Sequence, residues 1–447
     1  PAVAMRDFKP QAAAARVESF DATPAAIERR TQRFKEGGIS AAVLPKGTRG
    51  GSVHASLVLR CGDERSLAGQ GEVPSTLAAL IDKGSGSLTR QQVQDRLSEL
   101  KTELSVGYSP GRVTVSLHSR REHLPAALAL VAELLRRPAL PAEALDEVKR
   151  QTLAAIEQQR KEPEAVLANA LARHGNPYPR GDVRHARSFD EIVADVNAVT
   201  REQVVAFHQR FYGARDAQFA AVGDLDVAAV RAALRAGFAD WTAGEPYTRV
   251  PQPRVERAPV RLMLATPDKQ NATMAMQLAV PLTDNDADHA ALMMANHLLG
   301  SGGSSRLWKR IREREGLSYN VYSGVNWNPW EPNSPWTAGA IFAPQNRAKV
   351  EAAFREELER ALKEGFTAAE LAEGQRGLLS FRRLGRAQDA TLVGALLNNL
   401  ALGRDFTRSA EVDAALAALT VPQVNAALRK YLHPDRFVGG YAGDFPP

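Results

Sequence analysis

Apolar and polar positions follow the same order twice along the chain. In each half, strand-like alternation is followed by a helical stretch, further strands, long helices and a final short strand. This order differs from the regular strand–helix alternation that builds a parallel sheet, so it predicts an α+β fold. We expect two domains, each a mainly antiparallel sheet packed with helices.

Two matched blocks of sequence support a duplication. Residues 199–224 align without a gap with residues 419–444, and the block beginning at Leu140 matches the block beginning at Phe366. The identical pairs include Thr200/Thr420, Gln203/Gln423, Leu145/Leu371, Glu147/Glu373 and Arg150/Arg376. Repeats in the same order indicate homologous domains. We predict a lead-in arm over 1–30, domains over 31–243 and 260–447, and a proline-rich, charged linker over 244–259. Each half is expected to bury its own core.

Composition excludes several classes of protein. The 447 residues are 44% hydrophobic and 24% charged, which is typical of a globular protein with a sizeable core. No apolar run approaches the ~18 residues of a membrane span. The net charge of +6 is spread along the chain without aromatic interleaving, which argues against nucleic-acid binding. The single cysteine, Cys61, excludes intrachain disulfides and thiolate metal clusters.

The candidate chemistry lies between Ser304 and Gly324. Common nucleophile and phosphate-loop signatures are absent from the chain. The stretch 304–315 predicts a helix with Leu307, Trp308 and Ile311 on its apolar side and Arg312 beside Trp308. Its basic residues, Arg312 among them, form either a face that favours acidic partners or substrates or an ordinary solvated face.

A strand follows that helix after a predicted glycine cap at Gly316. Alternation along it places Leu317, Tyr319 and Val321 on one face. A helix, a tight turn and a strand bring Arg312 and Tyr319 to one wall, either as a functional pair or as a surface arginine and a core tyrosine. The glycine-rich segment before the helix, with Gly302, Gly303 and Ser304, predicts an anion cradle or a flexible loop that lets another chain approach.

This block resembles the pitrilysin/insulinase family of zinc peptidases, particularly the mitochondrial-processing-peptidase-like branch. The similarity covers most of the chain after the lead-in arm. It implies two homologous α+β domains, with Arg312 and Tyr319 facing a zinc site as catalytic residues and Gly302, Gly303 and Ser304 binding substrate.

The first half departs from the family pattern. Active members carry an H-x-x-E-H zinc motif whose positions align here with Ser75, Ala78 and Ala79. The distal glutamate ligand aligns with Ala154 or Ala155, with Glu157 nearby. A hydroxyl and methyl groups replace the two imidazoles and the carboxylate, so we expect no metal on this chain.

The resemblance therefore implies a non-metal subunit of a heterodimeric zinc metallopeptidase. Zinc would lie on a homologous partner subunit, and peptides would be the substrates. The alternatives are a catalytically inert structural relative, such as the zinc-less core subunits of respiratory complexes, and a stand-alone peptide-binding protein. The start at Pro1 fits signal-peptide removal and fits a trimmed chain equally well, and we expect a periplasmic location, with the cytoplasm as the alternative. The tryptophan- and proline-rich segment 326–339 predicts a rigid loop, either at an interface or packed on its own domain.

Overall fold

The computed structural model describes residues 18–242 and 244–445, so the predicted arm over 1–30 lies partly outside the described residues. The strands are β1 Gln32–Glu36, β2 Ile39–Pro45, β3 Ser52–Arg60, β4 Glu103–Ser109, β5 Arg112–Arg120, β6 Gln218–Gly223, β7 Val260–Ala265, β8 Ala272–Val280, β9 Ser318–Val325, β10 Ser334–Phe342 and β11 Val438–Gly443. The helices of the first half are α1 Pro24–Arg30, α2 Val73–Leu80, α3 Arg90–Glu99, α4 Leu124–Arg136, α5 Ala142–Gln159, α6 Pro163–Arg173, α7 Phe189–Ala198, α8 Arg201–Phe211 and α9 Val227–Phe238. Those of the second half are α10 His289–Asn296, α11 Arg347–Glu364, α12 Ala368–Arg386, α13 Asp389–Leu402, α14 Thr407–Ala418 and α15 Val421–Tyr431, together with two π-helices, His297–Ser301 and Trp308–Arg314.

The strand order of the two sheets confirms the α+β fold and its duplication. The first sheet has the order β1-β2-β6-β3-β5-β4, and the second has the order β7-β11-β8-β10-β9. Apart from β1, the two orders superimpose strand for strand. Each sheet contains one parallel pair at the corresponding place, β2 with β6 and β7 with β11, and the other pairings are antiparallel.

The aligned threonines and glutamines play the same local role in both halves. Thr200 caps α8 and Thr420 caps α15, and each forms a reciprocal capping box with the glutamine three residues later. A capping box satisfies two backbone N–H groups that the first helical turn leaves unpaired. The sequence identity at these positions therefore reflects a shared helix start rather than a shared catalytic residue.

Each sheet packs one face against helices of its own half. In the first half that core includes Leu57, Leu77 and Phe219, and in the second it includes Met274, Ile311 and Phe342. To this extent each half buries its own core, as the sequence predicts.

The opposite faces of the sheets do not follow that prediction. Helix α13 of the second half covers the first sheet, where Leu392 and Leu396 pack with Leu44, Val58 and Val222. Helix α6 of the first half covers the second sheet, where its Leu167 and Leu171 pack with Val438 and Ala442. Since α6 and α13 hold corresponding places in the repeat, the two halves exchange equivalent helices. The expectation of two separate cores is wrong at these two places, because an apolar helix can bury its surface against any apolar sheet within reach.

The tryptophan-rich loop packs on its own chain. Arg249 lies over the Trp330 ring at 5.0 Å and forms an ion pair with Glu331. The Asn333 side-chain amide donates to the carbonyl of Gln252 at 3.0 Å. Residues 244–259 form no helix or strand, and the loop holds part of this extended segment against the second half.

Candidate functional site

The three positions that align with the family's zinc motif lie on α2. This helix starts with Pro74 in its first turn and buries Leu77 and Leu80. Ser75 is exposed, Ala78 is buried and Ala79 is half-buried. Their oxygen and methyl groups offer no imidazole or carboxylate, so the donors present do not fit a zinc ion.

Helix α5, which carries the positions that align with the distal ligand, packs against α2. On α5, however, Ala154 and Ala155 are exposed methyl side chains, and Glu157 pairs with Arg160 at 3.1 Å. Within residues 18–242 and 244–445, no three histidine, cysteine or acidic side chains are grouped to hold a metal. Helices α2 and α5 therefore pack together, but the aligned positions on them provide no imidazole or carboxylate donors for zinc.

A polar cavity of about 280 Å³ opens beside Ser75. Its wall contains Arg187, which bridges Glu72 at 2.5 Å and Asp195 at 2.8 Å. Arg180 bonds the other oxygen of Asp195 at 2.7 Å and also pairs with Glu191. The pKa of Glu191 is lowered to about 2, first by the backbone N–H of Ser188 and then by Arg180. This ion-pair network fastens the segment before α7 to the start of α2, so its charges are already paired.

The second half builds an irregular surface around Arg312. The helix begins at Arg306 rather than at Ser304, and residues Trp308–Arg314 are π-helical. The N–H of Glu315 donates to the carbonyl of Arg310, five residues earlier, at 3.2 Å. Gly316 follows with a φ of 60°, a left-handed conformation that confirms the predicted glycine cap. Short π-helical segments are frequent at functional sites, because they turn side chains away from their α-helical directions.

Arg312 and Tyr319 come together in this turn. Arg312 is exposed, its guanidinium lies over the Trp308 ring at 4.6 Å, and its Nη1 donates to the backbone carbonyl of Tyr319. The predicted positions of Arg312 beside Trp308 and near Tyr319 are thus found. The catalytic role of the pair stays a prediction.

Tyr319 does not lie on the face that simple alternation predicts. Leu317 and Val321 are buried, whereas Tyr319 is 56% exposed. Register explains the difference: Ser318 pairs with Phe342 and Asn320 pairs with Ile341, so Tyr319 is an extra residue in the ladder. Such a β-bulge re-aims the bulged side chain, and bulges occur often beside active sites. The prediction of one shared face was wrong because the bulge depends on the pairing with β10.

The glycine-rich loop lies between the two π-helices. The N–H of Gly302 donates to the carbonyl of His297 at 3.2 Å. A Cβ at Gly302 would lie only 2.9 Å from His297 Cε1, so the loop needs glycine there to pass this ring. Gly303 and Ser304 are exposed, and a Cβ on Gly303 would meet nothing within 4 Å. The loop can therefore be approached closely by another chain, while its substrate-binding role stays a prediction.

Most of the basic residues on the helix after this loop already have partners. Arg306 pairs with Glu370 at 2.8 Å and Arg310 pairs with Glu356 at 2.8 Å. The broad basic face expected from the sequence is therefore reduced chiefly to Arg312 and Arg314. His297, at the base of the loop, was missed by the sequence reasoning, and burial lowers its pKa. The sequence did contain a signal for this histidine. Gly84-Ser85-Gly86 matches Gly300-Ser301-Gly302, so the segment that contains His297 corresponds in the repeat to the segment just before Gly84.

The duplicated α+β fold, the exposed Arg312–Tyr319 turn and the lack of zinc donors at Ser75, Ala78 and Ala79 can be compared with known proteins. Residues 198–378 match the family model described as the peptidase M16 inactive domain. The chain is 25% identical over 364 residues to an uncharacterized zinc protease of Mycobacterium bovis, and the match covers 80% of each. It is also 21% identical over 392 residues to the non-peptidase homolog YmxG of Helicobacter pylori, covering 85% of this chain and 86% of that protein.

A solved structure shows the same fold. The peptidase M16 inactive domain from Pseudomonas fluorescens superimposes with a TM-score of 0.80 at 23% identity, covering 93% of this chain and 98% of that one. The resemblance to zinc peptidases that the sequence predicts is confirmed by the match of residues 198–378 to the inactive-domain model and by the similarity to proteins named as zinc proteases. In the described part of the chain, no helix is long and apolar enough to cross a membrane.

Proposed function

We propose that this chain is the non-metal subunit of a heterodimeric zinc metallopeptidase and contributes Arg312 and Tyr319 to the active site of its partner. The observation that carries the proposal is the Arg312–Tyr319 turn. A π-helix and a β-bulge both depart from regular geometry at this point, and both present polar side chains to solvent. A protein that only needed a stable core would gain nothing from either irregularity.

The chemistry of peptide hydrolysis explains what such a pair can do. Attack on the scissile carbonyl builds negative charge on its oxygen. The Arg312 guanidinium and the Tyr319 hydroxyl can donate hydrogen bonds to that oxygen or to the adjacent peptide backbone. Stacking on Trp308 and bonding to the Tyr319 carbonyl hold the guanidinium in place before substrate arrives, which lowers the cost of ordering it. The zinc-bearing partner would supply metal-activated water.

The first half supports a division of labour between two subunits. Ser75, Ala78 and Ala79 provide no general base and no imidazole, so this chain would depend on another for the metal. The exposed, glycine-rich loop at 302–304 offers a surface that a substrate peptide can approach closely. Resemblance to proteins named as zinc proteases over 80% of the chain is consistent with a role in proteolysis.

A second candidate is a catalytically inert relative that binds peptides or supports a larger assembly. The similarity to the protein named as a non-peptidase homolog favours it. The two candidates differ in one respect: an inert relative needs no particular residue at position 312 or 319.

The decisive experiment mixes this chain with an H-x-x-E-H homologue from the same organism and follows both sedimentation and cleavage of a quenched peptide library. We expect a one-to-one complex with a standard-sized interface of about 1,600 Å² or more, and chelator-sensitive cleavage that neither chain shows alone. Separate species at micromolar concentration would contradict the heterodimer. A complex with no gain in cleavage would favour the inert relative.

A further inference from the structure

Helix α12 carries an exposed apolar patch that the folded chain does not use. Phe381 is 72% exposed and Leu384 is 63% exposed, more than any other large hydrophobic residue in the described chain. They are three residues apart on one helix, so their side chains are neighbours on its surface. Single exposed hydrophobic residues are ordinary, but two adjacent ones at this exposure indicate a contact surface.

This patch adjoins the glycine-rich loop. A Cβ on Gly377, one turn before Phe381 on α12, would lie 3.6 Å from His297 Nε2. The same His297 ring contacts the Gly302 corner of the loop. One turn earlier on α12, Glu373 lies 3.9 Å from Lys309, which belongs to the π-helix that carries Arg312. Loop, ring and patch therefore follow one another along α12.

The duplication shows which surface of the first half corresponds to this patch. The repeat alignment that pairs Leu145 with Leu371 and Arg150 with Arg376 places Phe381 opposite Ala155. Position 155 is one of the two that align with the distal zinc ligand of the family, and Ala155 is exposed on α5. Phe381 accordingly lies on the equivalent surface of the second half, where it is large and apolar rather than a ligand.

Charge around the patch favours one kind of occupant. Arg376 and Arg383 lie on the adjoining exposed side of α12, and neither forms an ion pair with any residue that the structure describes. Asp21 is nearby, but its pKa is lowered first by the backbone N–H of Thr23 and only slightly by Arg383. A second copy docking through the same face would bring these arginines together and would be repelled.

We propose that Phe381 and Leu384, with the open Gly377 turn between them and the loop, form a binding site for an apolar side chain of an extended peptide, and that Arg376 and Arg383 select peptides with acidic residues beside it. The proposal rests on the proposed function for the nature of its occupant. It adds a substrate class: peptides that combine a bulky apolar residue with flanking carboxylates. Burial of the exposed ring supplies affinity, and the arginines supply selectivity.

The test measures binding by the full chain alone, using fluorescence anisotropy of a short labelled peptide with one phenylalanine between two glutamates. We expect Phe381→Ser to weaken binding about tenfold, the loss expected when one aromatic ring is no longer buried. Met263→Ser, which alters an exposed apolar residue on β7, is the matched control and should leave binding within about twofold, as expected for a site outside the contact. Replacing the glutamates of the peptide with lysines should also weaken binding about tenfold through like-charge repulsion.

Several outcomes overturn the proposal. One is that the wild-type chain shows no saturable binding of the peptide up to about 1 mM, which is a very weak affinity. Another is that Phe381→Ser and Met263→Ser weaken peptide binding equally. Self-association that Phe381→Ser abolishes would make a second copy the occupant. Tighter peptide binding after deletion of residues 1–17 would make that segment the occupant. Because no partner subunit is present, a failed heterodimer leaves this result unaffected, and failed peptide binding leaves the heterodimer test unaffected.

Discussion

Replacing Arg312 by alanine should separate catalysis from folding. The side chain is exposed, and its contacts are the Trp308 ring at 4.6 Å and the carbonyl of Tyr319. An exposed cation–π contact contributes about 0.5–1 kcal/mol and a hydrogen bond about 0.5–1.5 kcal/mol. We therefore expect Arg312→Ala to lower the free energy of unfolding by no more than about 2.5 kcal/mol.

The expected loss in rate is larger. Removing one preorganised donor to a developing oxyanion costs roughly 10²–10³ in kcat in other enzymes. In the assembled heterodimer, Arg312→Ala should therefore lower kcat by at least about tenfold, with zinc content and dimer affinity near wild type. Tyr319→Phe is the sharper variant, because no hydrogen bond to its hydroxyl is found in the described part of the chain and the ring is retained. It should lower kcat by a similar factor without changing the melting temperature.

Arg314→Ala provides the control for Arg312→Ala. Arg314 is exposed on the same helix, has the same charge and makes no ion pair with the described residues. The assay compares kcat/KM of the three variant heterodimers with a quenched peptide, alongside thermal unfolding and sedimentation. If Arg312→Ala and Tyr319→Phe keep the wild-type kcat/KM, or lose no more than Arg314→Ala, the pair is structural and the reasoning is refuted.

Three further predictions concern the chain alone. After incubation with zinc and desalting, it should retain no stoichiometric metal and cleave no peptide; about one zinc per chain by elemental analysis, with chelator-sensitive cleavage, would contradict the interpretation of Ser75, Ala78 and Ala79. Leu396→Ala, on the fully buried face of α13, should cost about 2–4 kcal/mol by denaturant unfolding, whereas the exposed Leu384→Ala should change stability by no more than about 0.5 kcal/mol. His289 gives a pH dependence: burial lowers its pKa from 6.5 to about 4, so the unfolded chain takes up the proton first, and stability should fall by about 3 kcal/mol as pH drops from about 6.5 to about 4. His289→Gln should flatten that part of the stability profile, and an unchanged slope would rule out this histidine as its source.

The sequence predicted those features that depend on local order. The two matched blocks, 199–224 with 419–444 and those beginning at Leu140 and Phe366, predicted the duplicated fold, and the capping boxes at Thr200 and Thr420 follow from local sequence alone. The proximity of Arg312 and Trp308 was predictable because the two residues are four positions apart on one helix. The expected lack of zinc donors at Ser75, Ala78 and Ala79 came from the family resemblance, which identified the positions, and from the chemistry of their side chains.

Features set by distant pairing were not predictable in this way. Tyr319 becomes exposed through a bulge that exists only when β9 pairs with β10, and one strand's alternation contains no trace of its partner's register. The apolar face of α13 predicts that the helix is buried, but it does not predict which of the two sheets the helix covers. The patch at Phe381 and Leu384 has the pattern of an ordinary buried helix face, and only the arrangement of neighbouring elements leaves it in solvent.

The exchange of α6 and α13 means that neither half is a separable module. Cut from the chain, the first half would leave Leu44, Val58 and Val222 bare, and the second would expose Val438 and Ala442. Chains of this length commonly unfold domain by domain, but here the melting of one sheet removes the cover of the other. We therefore expect the two halves to unfold in a single calorimetric transition. Two fragments that correspond to the halves should recover their structure only when they are refolded together.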